Sequence, residues 1–270
     1  MTDKTSIPVH AAVPGAPHPS EAAMLAEARR RSRRAFIGLG LASLAGIGGW
    51  RWLLSQPDDI GIPGPLRKVH DANSRLSSAY FKETRLAPEF ARARAQAPRE
   101  NGSVGLDDEV DTVAWRLRVQ GYGTTKTQEF TLADIKALPR IEMTTELKCI
   151  EGWSVVVHWA GARFSDFLAQ YPLATRSGPS ADLAPYVGLL TPDEQYYVGL
   201  DMRSALHPQT LLCYEMNGEP LTSAHGAPLR LVTPLKYGIK HLKRIGTIAF
   251  ADVRPKDYWA ELGYDWDAGH

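Results

Sequence analysis

Cys149 is the residue whose type and position best suit it to binding a transition metal. It follows a run in which Ile141, Met143 and Leu147 alternate with polar residues, so it is predicted to end a β-strand on the inward side. A cysteine thiolate is a soft ligand, and the rigid end of a strand can hold it in a fixed geometry. Two other interpretations stay open, because lone cysteines are often inert core residues and Cys213 permits a disulfide in an exported chain.

A second stretch, residues 215–245, collects polar groups suited to an anionic ligand. It contains two histidines, glycines that allow close backbone approach, and basic side chains at Arg230, Lys236, Lys240, Lys243 and Arg244. Such a set could hold a phosphate-bearing group through charge-assisted hydrogen bonds. A solvated basic sheet edge, where lysines prevent aggregation, explains the same composition equally well.

Short β-strands make up most of the predicted secondary structure. Alternating and continuous apolar runs predict strands over residues 113–120, 141–149, 186–190, 196–200, 211–216, 229–232 and 244–250. The pair Asn217-Gly218 is typical of a hairpin turn. Many short strands with few helices indicate a β-rich α+β domain.

Two short helices complete the predicted domain. Thr131 followed by Asp134 predicts a capped helix that ends before Pro139, and a second helix is expected over residues 165–170. Residues 68–100 are polar with scattered aromatics, and we expect them to form irregular structure wrapped on the domain. No glycine-rich phosphate loop stands in a nucleotide-fold context, so a Rossmann or P-loop fold is unsupported.

The N-terminal part of the chain has the composition of an export leader. Residues 29–34 read Arg-Arg-Arg-Ser-Arg-Arg, and the following residues 35–50 carry no charge. Paired arginines before a moderately apolar run resemble a twin-arginine signal, the route by which already folded proteins are exported. We therefore expect residues 1–55 to comprise a disordered extension over residues 1–28 followed by a leader or membrane anchor, and residues 56–270 to form the domain.

Composition and charge exclude several classes of protein. Hydrophobic residues make up 44% and charged residues 23% of the chain, which are ordinary globular values. Of 31 basic and 30 acidic residues, seven basic and three acidic ones fall within residues 1–55, so the remainder is mildly acidic. A nucleic-acid binder usually shows the opposite balance. No Cys-x-x-Cys or Cys/His cluster suggests a zinc or iron–sulfur centre.

Four motifs, taken together and in order, resemble the sulfite-oxidase family of molybdenum enzymes. They are Cys149-Ile150-Glu151-Gly152-Trp153, residues 214–221, His225-Gly226-x-Pro228-x-Arg230-Leu231-Val232, and Lys236-Tyr237-Gly238 with residues 240–245. The patterns Cys-x-Glu-x-Trp and Pro-x-Lys-Tyr-Gly are similar, more narrowly, to bacterial relatives of the periplasmic protein-methionine-sulfoxide reductase catalytic subunit. The resemblance covers residues 71–263, nearly all of the chain after the leader.

The resemblance implies a β-rich, sulfite-oxidase-like domain that binds one molybdenum and one molybdopterin. It implies that Cys149 is the molybdenum ligand and the catalytic residue. Residues 241–243 match the segment that binds the phosphate end of the pterin, partly through backbone groups. The full set of implied cofactor-binding residues is Asn73, Cys149, Thr191, His225, Arg230, His241, Leu242 and Lys243.

Two departures from the family patterns bear on the substrate. Glu151 and Trp153 stand where sulfite oxidases have basic residues, which disfavours sulfite, and His225 replaces an asparagine of the reductase pattern. The resemblance implies oxygen-atom transfer, with reduction of an S-oxide or N-oxide favoured over oxidation of a small sulfur compound. Five aromatic residues are expected to pack in the core or on the surface, although any could line an active-site funnel: Trp153, Trp159, Tyr258, Trp259 and Trp266.

The electron source and the compartment follow from the leader and the resemblance. No Cys-x-x-Cys-His haem-attachment motif occurs, so a partner must exchange electrons, and the resemblance implies a membrane b-type cytochrome. We expect a monomeric periplasmic subunit, exported by the twin-arginine route and either released or tethered by an uncleaved leader. The alternative from another class is a non-catalytic exported binding domain with a Cys149–Cys213 disulfide, which would exclude a metal at Cys149.

Overall fold

The computed structural model of the protein describes residues 20–59, 62–82, 84–107, 110–176 and 182–270. The chain divides into two compact units, Met1–Gln56 and Pro57–His270. The helices, numbered in chain order, are α1 Glu21–Leu54, α2 Gly64–Tyr80, α3 Leu132–Lys136, α4 Phe164–Gln170, α5 Met202–Ala205 and α6 Tyr258–Glu261. Single 3₁₀ turns form at Arg92–Arg94, Ser223–His225 and Gly238–Lys240.

The strands are short, as the sequence predicts. In chain order they are β1 Asp58–Asp59, β2 Ile62–Pro63, β3 Leu117–Gln120, β4 Thr127–Phe130, β5 Arg140–Lys148, β6 Ser154–Arg163, β7 Tyr186–Leu190, β8 Tyr197–Asp201, β9 Leu211–Met216, β10 Glu219–Pro220, β11 Arg230–Val232 and β12 Thr247–Ala251.

Two five-stranded sheets form the body of the second unit. One has the order β10-β9-β6-β5 with β11 also paired to β9, and the other has the order β4-β3-β12-β7-β8. All pairings are antiparallel except that of β3 with β12. The β-rich α+β class predicted from the sequence is therefore confirmed by the described residues.

The turn that carries Cys149 is fixed by a long hairpin. Strands β5 and β6 pair over nine residues, from Arg140 opposite Ala162 to Lys148 opposite Ser154. Beneath this hairpin a small apolar cluster packs Met143, Leu147, Val157, Trp159, Leu211, Cys213 and Val232. The hairpin end is thus held both by its ladder and by its core face, which suits a position that must keep a ligand still.

Several local predictions are confirmed closely. Thr131 caps α3 in a reciprocal capping box with Asp134. Strands β7 and β9 have the predicted bounds, and α4 begins one residue before the expected start. Asn217 and Gly218 both adopt positive φ, 56° and 89°, in the turn between β9 and β10.

The strand predicted over residues 113–120 is shorter in the structure. Only residues 117–120 are extended, because the Asp111 side chain accepts hydrogen bonds from the backbone N–H groups of Val113 (2.8 Å) and Ala114 (3.2 Å) and closes a turn. Sequence reasoning also missed β6, the central strand beside β5. Most of this strand is buried, and residues 155–162 are apolar apart from His158, so they show no regular alternation of apolar and polar residues.

Helix α2 replaces the irregular structure expected from residue 68 onward. Its buried side chains are polar, Arg67 and Ser74, whereas its apolar side chains point outward. The usual signature of a surface helix, an apolar stripe turned toward the core, is therefore reversed. The apolar spacing in the sequence is the same whichever way the helix faces, so the outward orientation of α2 could not be predicted from it.

Helix α1 contains both the arginine-rich segment and the uncharged run of the leader. Residues 21–28, expected to be disordered, form its first turns, whereas residues 1–19 of the expected extension lie outside the described residues. Among the described residues, α1 is the helix long and apolar enough to cross a membrane: its most apolar stretch of 18 residues has a mean hydropathy of 1.2, and none of its residues is buried. A signal sequence near the N terminus has the same properties.

Candidate functional site

A cavity of about 360 Å³ lies beside Cys149. Its walls come from four parts of the sequence: the loop over residues 98–104, the Cys149 turn, residues 225–243, and an aromatic side formed by Tyr196, Tyr258 and Trp259. The Cys149 turn and residues 225–243 are the two stretches singled out from the sequence, so the fold brings them together.

Cys149 occupies the first position of the turn between β5 and β6. Its N–H donates to the carbonyl of Trp153 (2.9 Å), and its own carbonyl accepts from Gly152 (3.1 Å), which has a φ of 86° that favours glycine. The thiol is partly exposed and free. Burial raises the pKa of the thiol above its usual value, and the Glu151 carboxylate adds to the increase.

Glu151 is held beside the thiol by two donors. Its carboxylate oxygen Oε2 accepts from Trp153 Nε1 (2.9 Å) and from Asn101 Nδ2 (3.2 Å). The same Asn101 amide lies 3.9 Å from the Cys149 Sγ. Both Asn101 and Glu151 are exposed, so this end of the cavity meets solvent.

In contrast to Asn101 and Glu151, Arg230 is almost wholly buried in the cavity wall. Its Nη1 donates to the carbonyl of His225 (3.1 Å), and its guanidinium stacks 4.9 Å from the ring centroid of Trp159. Its Nε has no hydrogen-bond partner among the described residues. Burial lowers the pKa of Arg230 to about 10, which reflects a buried cation that lacks a carboxylate partner.

His241 also lines the cavity and has a buried, unsatisfied ring nitrogen. Its Nε2 lies 3.0 Å from the carbonyl oxygen of Thr233, which makes Nε2 the protonated nitrogen of the neutral ring. Burial, followed by the charge of Arg230, lowers the pKa of His241 to about 3, so the ring stays neutral near pH 7. The remaining nitrogen, Nδ1, is a buried acceptor with no partner in the described chain.

Lys243 ties the loop over residues 98–104 to the cavity wall. Its ammonium group donates to the carbonyls of Asn101 (2.6 Å) and Gly102 (3.3 Å). Burial and the charge of Arg230 lower the pKa of Lys243 to about 8. One of its three protons remains for a ligand.

Comparison with protein families identifies this arrangement. The model of the oxidoreductase molybdopterin binding domain matches residues 104–259, which include the Cys149 turn and the residue 225–243 wall. The chain belongs to this molybdopterin-binding oxidoreductase family. The match confirms the resemblance recognised from the motifs, and with it the assignment of the chain as an oxidoreductase enzyme.

Curated relatives of this molybdopterin-binding oxidoreductase carry methionine-sulfoxide reductase names. A putative protein-methionine-sulfoxide reductase subunit YedZ1 of Azospira oryzae is 32% identical over 244 residues, 88% of each chain. The protein-methionine-sulfoxide reductase catalytic subunit MsrP of Xanthomonas campestris is 32% identical over 160 residues, which cover 55% of this chain. The chain matches about half, 48%, of that MsrP. The sulfane dehydrogenase SoxCD of Paracoccus pantotrophus shares 20% identity over 54% of this chain and 40% of its own, with a TM-score of 0.46.

The cavity residues fit a molybdopterin. Leaving a buried polar atom unpaired destabilises a fold by about 1–3 kcal/mol, so Arg230 Nε and His241 Nδ1 suit a bound group that supplies their partners. Within the described ranges no cluster of three or more His, Cys, Asp or Glu side chains is placed to hold a metal. A metal bound at Cys149 would therefore take its other ligands from a cofactor rather than from the protein.

The structure brings five of the eight implied cofactor-binding residues to the cavity: Cys149, His225, Arg230, His241 and Lys243. Leu242 is fully buried in the main core instead, and its N–H and carbonyl are both used, by Lys240 (3.0 Å) and Leu231 (2.8 Å). Its backbone therefore has no donor left for a phosphate.

Thr191 and Asn73 also lie outside the cavity wall. The Thr191 hydroxyl donates to Asp193 Oδ1 (2.5 Å) and so closes the turn between β7 and β8, and Tyr196 from the same connection lines the cavity in its place. Asn73 is exposed on α2. The asparagine that does reach the cavity is Asn101, which sequence reasoning missed because residues 98–104 belong to no regular element.

Two lysines of the basic stretch have a role that neither sequence interpretation anticipated. Lys240 is wholly buried and pairs with Asp257 (2.5 Å), and Lys236 is nearly so and pairs with Asp267 (2.7 Å). These lysines neither form a solvated sheet edge nor offer unpaired donors to a ligand in the cavity. They bind the C-terminal segment to the sheet.

Of the five aromatics, Trp153, Tyr258 and Trp259 line the cavity, whereas Trp159 and Trp266 pack in the interior. Trp259 Nε1 donates to the hydroxyl of Tyr196 (2.9 Å), which itself donates to the carbonyl of Ile239 (2.6 Å). These bonds fix the aromatic side of the cavity. Of the five aromatic residues that the sequence offered as walls of an active-site funnel, Trp153, Tyr258 and Trp259 lie on the cavity wall.

Cys213 is a packed thiol, as one sequence interpretation held. It is completely buried in β9, and burial raises its pKa to about 12. Both cysteines are free, so the structure contains no Cys149–Cys213 disulfide and does not support the disulfide-stapled binding domain.

Proposed function

We propose that the chain is a periplasmic molybdopterin-dependent reductase of S-oxides, with Cys149 as the protein ligand to molybdenum. The observation that carries the proposal is the common placement of a free thiol, Arg230 Nε and His241 Nδ1 around one cavity. When bound, one molybdenum with one molybdopterin supplies the two-electron oxygen-atom-transfer chemistry that amino-acid side chains lack.

Different residues of the cavity wall offer the cofactor different kinds of contact. Arg230 presents a buried N–H donor and His241 presents a buried acceptor, so together they can orient a fused ring that offers both kinds of group. Lys243 keeps one proton for an anionic group, while its other bonds hold the loop that carries Asn101. His225, Arg230, His241 and Lys243 are the proposed pterin-binding residues, and Cys149 is the proposed catalytic residue.

The solvent-facing end of the cavity favours a neutral oxide. Glu151 is kept beside the thiol by Asn101 and Trp153, so a carboxylate stands where an incoming oxyanion such as sulfite would have to pass. Like charges repel each other, and the low-dielectric protein walls beside this opening strengthen the field that an approaching anion meets. The aromatic side, which includes Tyr258 and Trp259, suits the polarisable sulfur of an S-oxide. The names of the relatives agree with this choice, and N-oxides are the second substrate class.

The electron source and the compartment complete the proposal. Reduction of an S-oxide consumes two electrons and two protons and yields a thioether and water, and the chain has no haem-attachment motif. We therefore assign the electrons to a membrane b-type cytochrome. The paired arginines and α1 support export by the twin-arginine route, with α1 retained as an anchor if it is not cleaved.

The test is a dye-linked reductase assay on protein produced in a host that makes the cofactor. Methionine sulfoxide should oxidise a reduced dye at a rate proportional to enzyme, and sulfite should not reduce an oxidised acceptor. Cys149→Ser should abolish the activity, while Cys213→Ala, which alters the other cysteine, should retain it. Sulfite oxidation without S-oxide reduction would replace the proposal with a sulfur-compound oxidase.

A further inference from the structure

Helix α2 exposes a row of large apolar side chains along one side. Leu66, Val69, Leu76 and Tyr80 are 42%, 56%, 70% and 68% exposed. Their spacing places them on one stripe of the helix, which is about 25 Å long. Ala72 and Ala79 widen this stripe on one flank and are also exposed.

The opposite side of α2 is fixed to the domain by polar contacts. Arg67 donates to the carbonyl of Ala260 (2.9 Å), and the Ser74 hydroxyl donates to Asp265 Oδ1 (2.6 Å). Asp71 pairs with Arg254 (3.3 Å). Rotating the helix to bury its apolar stripe would break these contacts and leave Arg67 and Ser74 unsatisfied or exposed, so the outward stripe is a fixed feature of the fold.

The exposed surface of α2 is also cationic. Lys68 and Arg75 are exposed beside the stripe, and Arg85 stacks over the Tyr80 ring at 4.3 Å. The sequence of α2 contains one carboxylate, Asp71, and this group is neutralised by Arg254. An apolar stripe flanked by basic residues, with no free carboxylate, is the composition of a helix that lies in the interface of a bilayer with anionic headgroups.

The position of α2 in the chain favours the same occupant. Helix α1, which is long and apolar enough to cross a membrane, ends at Leu54, and α2 begins at Gly64. The connection between them, fully extended, spans no more than about 35 Å. If α1 is inserted in a bilayer, α2 therefore cannot leave the neighbourhood of the membrane surface.

We propose that α2 is an interfacial helix that docks on the bilayer through its apolar stripe and binds anionic lipid headgroups through Lys68 and Arg75. This inference rests on the proposed membrane anchoring of α1. It has a consequence for the cavity, because Ala260, which accepts from Arg67, follows directly after Tyr258 and Trp259 of the aromatic wall. Docking of α2 would hold that wall close to the membrane, where a membrane cytochrome donates electrons.

The test compares two exposed lysines of the same molecule. Full-length protein is reconstituted in phosphatidylcholine vesicles with or without phosphatidylglycerol, and flotation shows whether α1 is inserted. A water-soluble amine reagent then labels the lysines, and mass spectrometry reads Lys68 against Lys126, which is exposed in a loop away from α2. We expect labelling of Lys68 to fall by about threefold or more with phosphatidylglycerol, while labelling of Lys126 is unchanged.

Matched variants separate the stripe from general surface effects. Leu76→Glu should restore labelling of Lys68, whereas Val113→Glu, which adds the same charge at a site that is 83% exposed elsewhere, should not. A chain that floats but labels equally at Lys68 and Lys126 would overturn the docking and leave the anchor standing. A chain that does not float would overturn both. Protection of Lys68 that depends on protein concentration and not on lipid would overturn the docking by showing that a second copy covers α2.

Discussion

Two groups of buried cations from the same short stretch of sequence differ in how their charge is satisfied. Lys240 is fully buried, and its ammonium bonds both the Asp257 carboxylate (2.5 Å) and the carbonyl of Gly199 (2.9 Å). Arg230 is equally inaccessible, but it contacts carbonyls and the Trp159 ring, and in the described part of the chain it pairs with no carboxylate. Lys240 therefore has a structural role, whereas Arg230 keeps an unpaired N–H group, Nε, that can bind a ligand.

The difference shows that a buried polar group with all its partners in the protein has a structural role, whereas one with an unpaired atom is a candidate ligand-binding group. A satisfied pair such as Lys240 and Asp257 stabilises the fold only while both partners are present. Unsatisfied groups such as the donor Arg230 Nε and the acceptor His241 Nδ1 destabilise the protein when it is alone. A ligand that supplies their hydrogen-bond partners removes this cost, which favours binding of the ligand. The comparison predicts opposite effects of mutation on stability and on cofactor content.

The largest expected effect is on stability, from removal of the paired lysine. Lys240→Met leaves the Asp257 carboxylate buried without its partner, and we expect a loss of about 3–5 kcal/mol in the free energy of unfolding. Urea denaturation followed by circular dichroism measures the change. Lys126→Met, at an exposed lysine, is the matched control and should leave the midpoint in place. An unchanged midpoint for Lys240→Met would contradict the structural role of the pair.

The next effect is on the cofactor, from removal of the unpaired arginine. Arg230→Met removes a buried charge that has no carboxylate partner, so we expect the cofactor-free protein to lose less than about 2 kcal/mol. Released pterin per chain should fall by about tenfold or more. Fluorescence of the oxidised pterin and urea denaturation provide the two readings. Normal pterin content in a protein that is strongly destabilised would reverse the assignments of Arg230 and Lys240.

A smaller effect on turnover separates two asparagines. Asn101→Ala removes the amide that bonds Glu151 (3.2 Å) near the thiol, and we expect kcat/KM for methionine sulfoxide to fall about three- to tenfold, the range of one hydrogen bond. Asn73→Ala, at the asparagine implied by the sequence but exposed on α2, should leave dye-linked turnover unchanged. A larger loss of kcat/KM in Asn73→Ala than in Asn101→Ala would show that Asn73, and not Asn101, contacts the cofactor.

The smallest effect is a pH dependence at Lys243. Burial holds the pKa of this lysine at about 8, below the 10.5 of a free lysine, so between these values the unfolded chain binds more protons than the folded chain. Stability of the wild type should therefore rise with pH across this window relative to Lys243→Met, by about 1 kcal/mol for a partly exposed group. Denaturation at several pH values measures the difference. Parallel stability profiles would show that Lys243 is not desolvated.

The sequence predicted those parts of the fold and of the site that local pattern determines. Cys149 follows an alternating strand, and Thr131 with Asp134 encodes its own capping box, so both could be placed without tertiary information. Residues that act through distant contacts could not. Nothing near Asn101 indicates that Lys243, far along the chain, would draw its loop over the cavity.

Reversed polarity accounts for the other failures. Helix α2 buries Arg67 and Ser74 and exposes Leu76, so an expectation built on apolar cores would place its faces the wrong way round. The same expectation treated Lys236 and Lys240 as surface or ligand-binding groups, because their carboxylate partners lie in the C-terminal segment and are invisible from the lysines' own neighbourhood. Burial of charge depends on which segments meet, and a local pattern does not contain that information.

Molybdenum and pterin content of the exported protein tests the central claim most directly. The wild-type chain and Cys213→Ala should each hold about one molybdenum per chain with pterin in equal amount, because Cys213 lies in the core cluster and not in the cavity. Cys149→Ser should hold less than about a tenth of that metal while keeping its fold by circular dichroism. Full metal in Cys149→Ser, or none in a correctly folded wild type, would contradict the assignment of Cys149 as the metal ligand.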